Sequence, residues 1–196
     1  MSNYPYVPYG TTVHGEDEIN AVVNVLKTST QMGKNVRELE EKVAGLYNKK
    51  YGIGVNSGSS ALYLAADLLN YDEGTEIITP ALTFSTTVAP LVKRKWIPAF
   101  VDVEEGTYNI DAAKIEEMIS SKTKAMVIPN LIGNLPNWKQ IREIADKHNI
   151  FLLEDSADTI GAEIDGGSSG RFTDMSTTSF YGSHIMNCAG NGGMLC

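Results

Sequence analysis

The sequence predicts an α/β protein, a three-layer α/β/α sandwich around a mostly parallel central sheet. Two observations carry this. From Tyr51 onward, short apolar runs (Ile53 to Val55, Glu76 to Thr79, Ile97 to Val101, Ala125 to Ile128, Ile150 to Leu153) alternate with helical stretches (Ser59 to Leu69, Asp111 to Ile119, Asn137 to His148), which is the grammar of βαβ units. The runs show little polar alternation, so the strands should be buried on both faces, as parallel strands are.

Ahead of this block, residues 1–12 carry three Tyr and two Pro and read as an extended arm that must dock on something else. Helices are predicted at Glu16 to Leu26 (apolar Ile19, Val22, Val23, Leu26) and at Val36 to Tyr47 (Val36, Leu39, Val43, Leu46), both with apolar residues three and four apart. Residues 13–196 form one expected domain, since 196 residues with 42% hydrophobic content bury one sizeable core. After Ala162 the composition shifts to Gly, Ser and Thr, and the final GGMLC reads as the start of a further strand, so the chain is expected to be truncated within a fold.

The composition excludes several function classes. A net charge of −8 repels a phosphate backbone and argues against nucleic-acid binding. No apolar run approaches the roughly 20 residues that span a bilayer, and MSNYPYVPYG has neither the basic nor the apolar region of a secretory signal. Two cysteines, Cys188 and Cys196, lack zinc-site spacing, and the histidines His14, His148 and His184 are scattered, so no metal is expected and a reducing cytoplasm fits.

In an open parallel sheet, ligands bind beyond the carboxyl ends of the strands, and three segments there bear chemistry. VNSGSSALYLAADLL (55–69) runs from a strand through Ser57, Gly58 and Ser59 straight into an apolar helix, which offers backbone N–H groups and hydroxyls to a phosphate. An ordinary capped βα turn has the same residues. Gly52, Gly54 and Gly58 do not have the spacing of a dinucleotide fingerprint. FLLEDSADTIGA (151–162) places Glu154 and Asp155 at the end of a buried strand, where a carboxylate needs a cationic or hydrogen-bonding partner. A protonated pyridine nitrogen is one such partner; capping a loop is another reading. TTSFYGSHIMNCAGNGG (177–193) sets Ser179 and Ser183 around an aromatic pair, with His184 in a Gly/Ser context.

These segments in this order, together with ITPALTFSTTVAP (78–90), FVDVEEGTYNID (100–111) and KTKAMVIPN (122–130), resemble the DegT-type family of sugar-nucleotide aminotransferases and dehydratases, which are fold-type-I pyridoxal phosphate enzymes. The resemblance implies the large domain of an aspartate-aminotransferase-like fold, with the C-terminal part missing, and pyridoxal or pyridoxamine 5'-phosphate as cofactor. It gives Ser57, Gly58, Ser59 and Ser179 to the cofactor phosphate, stacks Phe84 on the ring, pairs Asp155 with the ring nitrogen and puts Asp158 near the ring hydroxyl. Where the aminotransferases have the lysine that forms the Schiff base, this motif ends in His184, and no lysine follows Lys147. That change resembles the NDP-4-keto-6-deoxyhexose 3-dehydratases, in which the histidine is a general base, as an imidazole suits, and the C3 hydroxyl of the sugar is expelled. A sugar nucleotide and glutamate are then the implied substrates, and a homodimer the implied assembly. The pattern departs from the family at Gly182, Asn191 and Asn130, where Pro, Glu and His are usual. A sugar-nucleotide aminotransferase homologue and a catalytically silent binding module are the alternative readings.

Overall fold

A computed structural model describes residues 5–8, 10, 11 and 13–196. The remaining positions of the expected arm lie outside the described residues, and the described Tyr6 and Val7 are exposed.

The predicted sandwich is present. Its strands are β1 (Ile53–Val55), β2 (Glu76–Pro80), β3 (Ile97–Val101), β4 (Thr123–Pro129), β5 (Phe151–Asp155), a small hairpin of β6 (Glu163–Ile164) and β7 (Gly167–Ser168), β8 (Met175–Ser179) and β9 (Gly193–Leu195). The main sheet runs in the order β1-β9-β8-β5-β4-β2-β3. Pairing is parallel from β3 to β8, whereas β9 is antiparallel to both of its neighbours.

Strand side chains alternate between faces, and consecutive residues here divide between two cores. Ile78, Ile128 and Leu152 pack with Trp138 and Ile141 of α5 (Trp138–His148). Ile77, Val127 and Leu153 pack on the other face with Ala61, Leu62 and Ala65 of α3 (Gly58–Leu69) and Leu91 of α4 (Ser85–Lys93). Covering both faces is what makes these strands continuously apolar. α2 (Lys34–Leu46) adds a third cluster, Val43 and Tyr47 against Phe180 and Met194.

Four differences from the sequence reading have physical causes. The predicted helix at Asp111 to Ile119 is two short 3-10 turns, Ala112–Lys114 and Glu116–Met118, because only Ala112 and Ile115 are buried, with Ile119 partly so at the far end. α4 was not expected, since it is rich in Ser, Thr and Val and carries Pro90 inside the helix. β8 has the sequence MSTTS and lacks an apolar signal, yet Ser176, Thr177 and Thr178 are buried because their hydroxyls have partners in the neighbouring strand and loop. The final strand exists as expected, but its place inside the sheet between β1 and β8 is not readable locally, because its partner β1 lies at the other end of the strand block.

α1 (Glu16–Thr28) also forms as predicted, with Glu18 reaching back to the Gly15 N–H at 2.6 Å. It has no buried residue, and Ile19, Val22, Val23 and Leu26 all lie on the surface.

Candidate active site

The main sheet delivers six chain segments to one place: the β1–α3 turn, the β2–α4 turn, and the loops following β3, β4, β5 and β8. They enclose a cavity of about 720 Å³ at the carboxyl ends of the strands. Every residue that the resemblance gave to the cofactor or to proton transfer lines it (Ser57, Gly58, Ser59, Phe84, Asp155, Asp158, Ser179 and His184), whereas Glu154 does not.

One wall is the N-terminus of α3. Ser57 caps it by accepting from the Ser60 N–H at 3.1 Å, and the Ala61 N–H bonds the Ser57 carbonyl, which leaves the Gly58 and Ser59 N–H groups of the first turn without an intrahelical partner. Two glycines allow the close packing. A Cβ on Gly58 would sit 2.7 Å from the Ser179 Cβ, and one on Gly193 would meet the Ser57 carbonyl carbon at 2.3 Å, so β8 and β9 press directly against the helix start. That approach places the Ser179 side chain beside the α3 N-terminus, where the helix dipole favours an anion.

The floor is the end of β5, where neighbouring carboxylates part company. Glu154 shares the Leu152 face and is fully buried. Its Oε1 accepts from Asn130 Nδ2 (2.7 Å), Ser156 Oγ (2.8 Å) and Ser169 Oγ (2.6 Å), and its Oε2 from Ser176 Oγ (2.8 Å) and Thr173 Oγ1 (3.3 Å). Asn130 in turn accepts from Trp138 Nε1 at 2.8 Å, which ties this hub to α5. On the far side Lys49 donates to the Gly170 and Thr173 carbonyls, and burial pushes its amine below the usual lysine range.

Asp155 faces the cavity with much less support. Its Oδ2 accepts from Thr87 Oγ1 at 2.8 Å and its Oδ1 from the Ala157 N–H at 3.3 Å. Thr83 Oγ1 donates to Thr87 Oγ1 at 2.9 Å and so orients that hydroxyl. Burial pushes the Asp155 carboxyl up to about 6, against the pull of its two hydrogen bonds and with the nearby Asp158 and Glu154 carboxylates adding to the rise. Among the described residues no Lys, Arg or His forms an ion pair with it. A buried acid in that condition is suited to a cationic ligand group.

The rim holds His184 and Asp158. His184 Nδ1 lies 3.5 Å from Asp158 Oδ1, and the imidazole meets the Tyr181 ring edge-on at a centroid distance of 6.1 Å. The other Asp158 oxygen accepts the Ile132 N–H at 3.0 Å. Phe84, at the α4 N-cap, is largely exposed at the mouth. Among the described residues no lysine lines the cavity and no group of three or more His, Cys, Asp or Glu is placed to hold a metal.

Sequence reasoning missed Thr87, Tyr108 and Ile132. Thr87 was hidden with the helix that carries it. Tyr108 and Ile132 both line the cavity and both adopt left-handed backbone, at φ 61 and φ 49, a conformation uncommon for side-chain-bearing residues and strained for a β-branched one. The glycines flanking them, Gly106 and Gly133, were the available signal.

Residues 12–196 match the family described as the DegT/DnrJ/EryC1/StrS aminotransferase family. The chain is 35% identical over 197 residues to a dTDP-4-dehydro-2,6-dideoxy-D-glucose 3-dehydratase from Saccharopolyspora spinosa, covering 96% of this chain and 42% of that protein. It is 38% identical over 164 residues to a UDP-N-acetyl-3-dehydro-alpha-D-glucosamine 3-aminotransferase from Acidithiobacillus ferrooxidans, covering 84% and 44%. The solved structure of the E. coli GDP-4-keto-6-deoxy-D-mannose-3-dehydratase with bound hydrated PLP superposes with a TM-score of 0.89 at 33% identity, over 96% of this chain and 50% of that one. The chain thus spans about half the length of the relatives it matches.

Proposed function

The chain belongs to the DegT/DnrJ/EryC1/StrS aminotransferase family, and from that premise we propose that it is the cofactor-binding part of a pyridoxal/pyridoxamine phosphate-dependent 3-dehydratase acting on an NDP-4-keto-6-deoxyhexose. The single observation that carries the reading is the rim: an imidazole, His184, stands at the cavity and no lysine lines it. Relatives named as sugar 3-dehydratases and a solved 3-dehydratase with hydrated PLP support it.

The residues present fit the cofactor. Gly58 opens the space against Ser179 that a Cβ would fill, and the α3 N-terminus with the Ser57, Ser59 and Ser179 side chains offers donors to a phosphate. Asp155 is a buried acid in need of a cation, which a pyridinium nitrogen supplies. When bound, the cofactor supplies an electron-accepting ring for chemistry next to a carbonyl. Asp155 would hold the proton on the ring nitrogen, Thr87 would hold Asp155, and Phe84 would cover one ring face and exclude water. His184 would take and return a proton at its free ring nitrogen.

The net reaction replaces the C3 hydroxyl by hydrogen, with the electrons coming from oxidation of glutamate to 2-oxoglutarate and ammonia as the other product. The aminotransferase reading has its own support in the relative at 38% identity, but it requires an amine where this chain has His184. The two are separated by incubating the protein with cofactor, glutamate and GDP- or dTDP-4-keto-6-deoxyhexose. A sugar product lighter by one oxygen atom is expected; an amino sugar would overturn the dehydratase reading. With this function go residues 13–196 as a cofactor-binding domain, a cytoplasmic setting and a homodimer. The dimer accords with the exposed apolar residues Phe84, Tyr181, Ile185 and Met186 around the cavity and the loop beyond it.

A further inference from the structure

We propose that Asp158 is the positioning residue of His184. It keeps the proton on Nδ1, so that Nε2 presents its lone pair to the cavity. This rests on the reading of His184 as the base, and it gives Asp158 a task other than a contact to the cofactor ring hydroxyl.

The geometry has three parts. The Asp158 carboxylate has one oxygen committed, since Oδ2 accepts the Ile132 N–H at 3.0 Å. That N–H is aimed at it by the left-handed turn at Ile132, φ 49, a strained conformation for a β-branched residue that the Asp158 contact helps to hold. The remaining oxygen, Oδ1, is the atom 3.5 Å from His184 Nδ1. This is ion-pair distance, somewhat longer than a formed hydrogen bond, and such contacts tighten in a loaded site. The imidazole also meets the Tyr181 ring edge-on, 70° to its plane, and the His184 backbone is held by its N–H, which donates to the Tyr181 carbonyl at 3.0 Å.

A histidine that moves protons has two inequivalent nitrogens, and the partner of one decides which form the other takes. A carboxylate is an acceptor only, so it accepts from a protonated Nδ1 and leaves Nε2 basic. It also stabilises the imidazolium formed when Nε2 takes up a proton, as in other base–carboxylate pairs. Asp158 thereby joins the loop after β5, the strained turn after β4 and the base after β8 through one carboxylate.

The test is the tautomer itself, read by 15N NMR of the imidazole nitrogens in the cofactor-free protein, with His184→Gln used to assign the resonances among the three histidines. In the neutral form, His184 Nδ1 is expected in the protonated-nitrogen region and Nε2 in the unprotonated region. Asp158→Asn and Asp158→Ala should each reverse that assignment, and Asp158→Glu should restore it in part. Nε2 protonation in the unmodified protein, or nitrogen shifts unmoved by the substitutions, would overturn the proposal. Pyridoxal phosphate affinity measured on the same samples identifies the overturning case in which Asp158 is a cofactor contact: affinity falls while the tautomer stays fixed. Failure of the protein to dehydrate a sugar would sink the dehydratase reading and leave the tautomer result intact.

Discussion

Glu154 and Asp155 are adjacent in one strand and both buried, yet the fold treats them in opposite ways. Glu154 faces a hub of five side-chain donors drawn from the loops after β4 and β5, the turn before β8 and β8 itself. Asp155, one residue on and therefore on the other face, has one hydroxyl and one distant N–H. A buried carboxylate is tolerated when its charge is met, so the well-supplied acid belongs to the scaffold and the poorly supplied one to a ligand. Completeness of the donor set, rather than burial, distinguishes the two.

The largest effect is expected at Glu154. Glu154→Ala removes the acceptor from five buried donors and should destabilise the chain by roughly 3 to 5 kcal/mol, read by urea unfolding. Glu154→Gln keeps the shape and should recover part of this. An unfolding free energy unchanged by Glu154→Ala would erase the distinction between the two acids.

Asp155→Asn should act in the opposite direction on the unloaded protein. The folded-state carboxyl is pushed up to about 6 from an ordinary 3.8, so between about pH 4 and 6 the folded state keeps a proton that the unfolded chain has released. Stability from this group is therefore complete below about pH 4 and falls as pH rises to about 6, by on the order of 3 kcal/mol in all. Asp155→Asn should remove that fall, leaving the variant more stable than the parent above pH 6, while retention of pyridoxal phosphate is lost. Parallel stability–pH curves for the two proteins would contradict the account.

Thr87→Val is the smallest change. It deletes one donor to Asp155 and should cost about 1.5 kcal/mol above pH 7, where the carboxylate is charged. It should also move the Asp155 midpoint further up, since the Thr87 bond is the larger of the two that pull it down. Thr87→Ser should restore both.

How much of this was legible in the sequence follows from where each group finds its partners. β2, β4 and β5 read clearly because helices cover both faces and the side chains at their centres are apolar. The segments that line the cavity stood out because small, polar or aromatic residues stand at or just after strand ends, at Ser57 to Ser59 after β1, at Phe84 after β2 and at Asp155 to Asp158 at the end of β5. The sequence also shows that both acids need partners, but not which acid has which, since the answer lies in Ser169, Thr173 and Ser176 on one side and Thr87 on the other. For the same reason β8 was illegible: its buried face is made of hydroxyls that become acceptable only once Glu154 and Ser156 stand opposite. The apolar stripe of α1 was read correctly as a helix, but periodicity gave no sign that this face would lie on the surface of these residues.

The most direct test of the central claim, that this cavity holds its cofactor through Asp155 and the α3 N-terminus with an imidazole in place of a tethering amine, is borohydride reduction after loading with pyridoxal phosphate, followed by peptide mass analysis. The account predicts retention of the cofactor without a reduced link at residue 184 in the parent protein, and a reduced link at that position in His184→Lys. A lysine of the parent protein trapped in the cavity, or no retention of the cofactor by either protein, would contradict it.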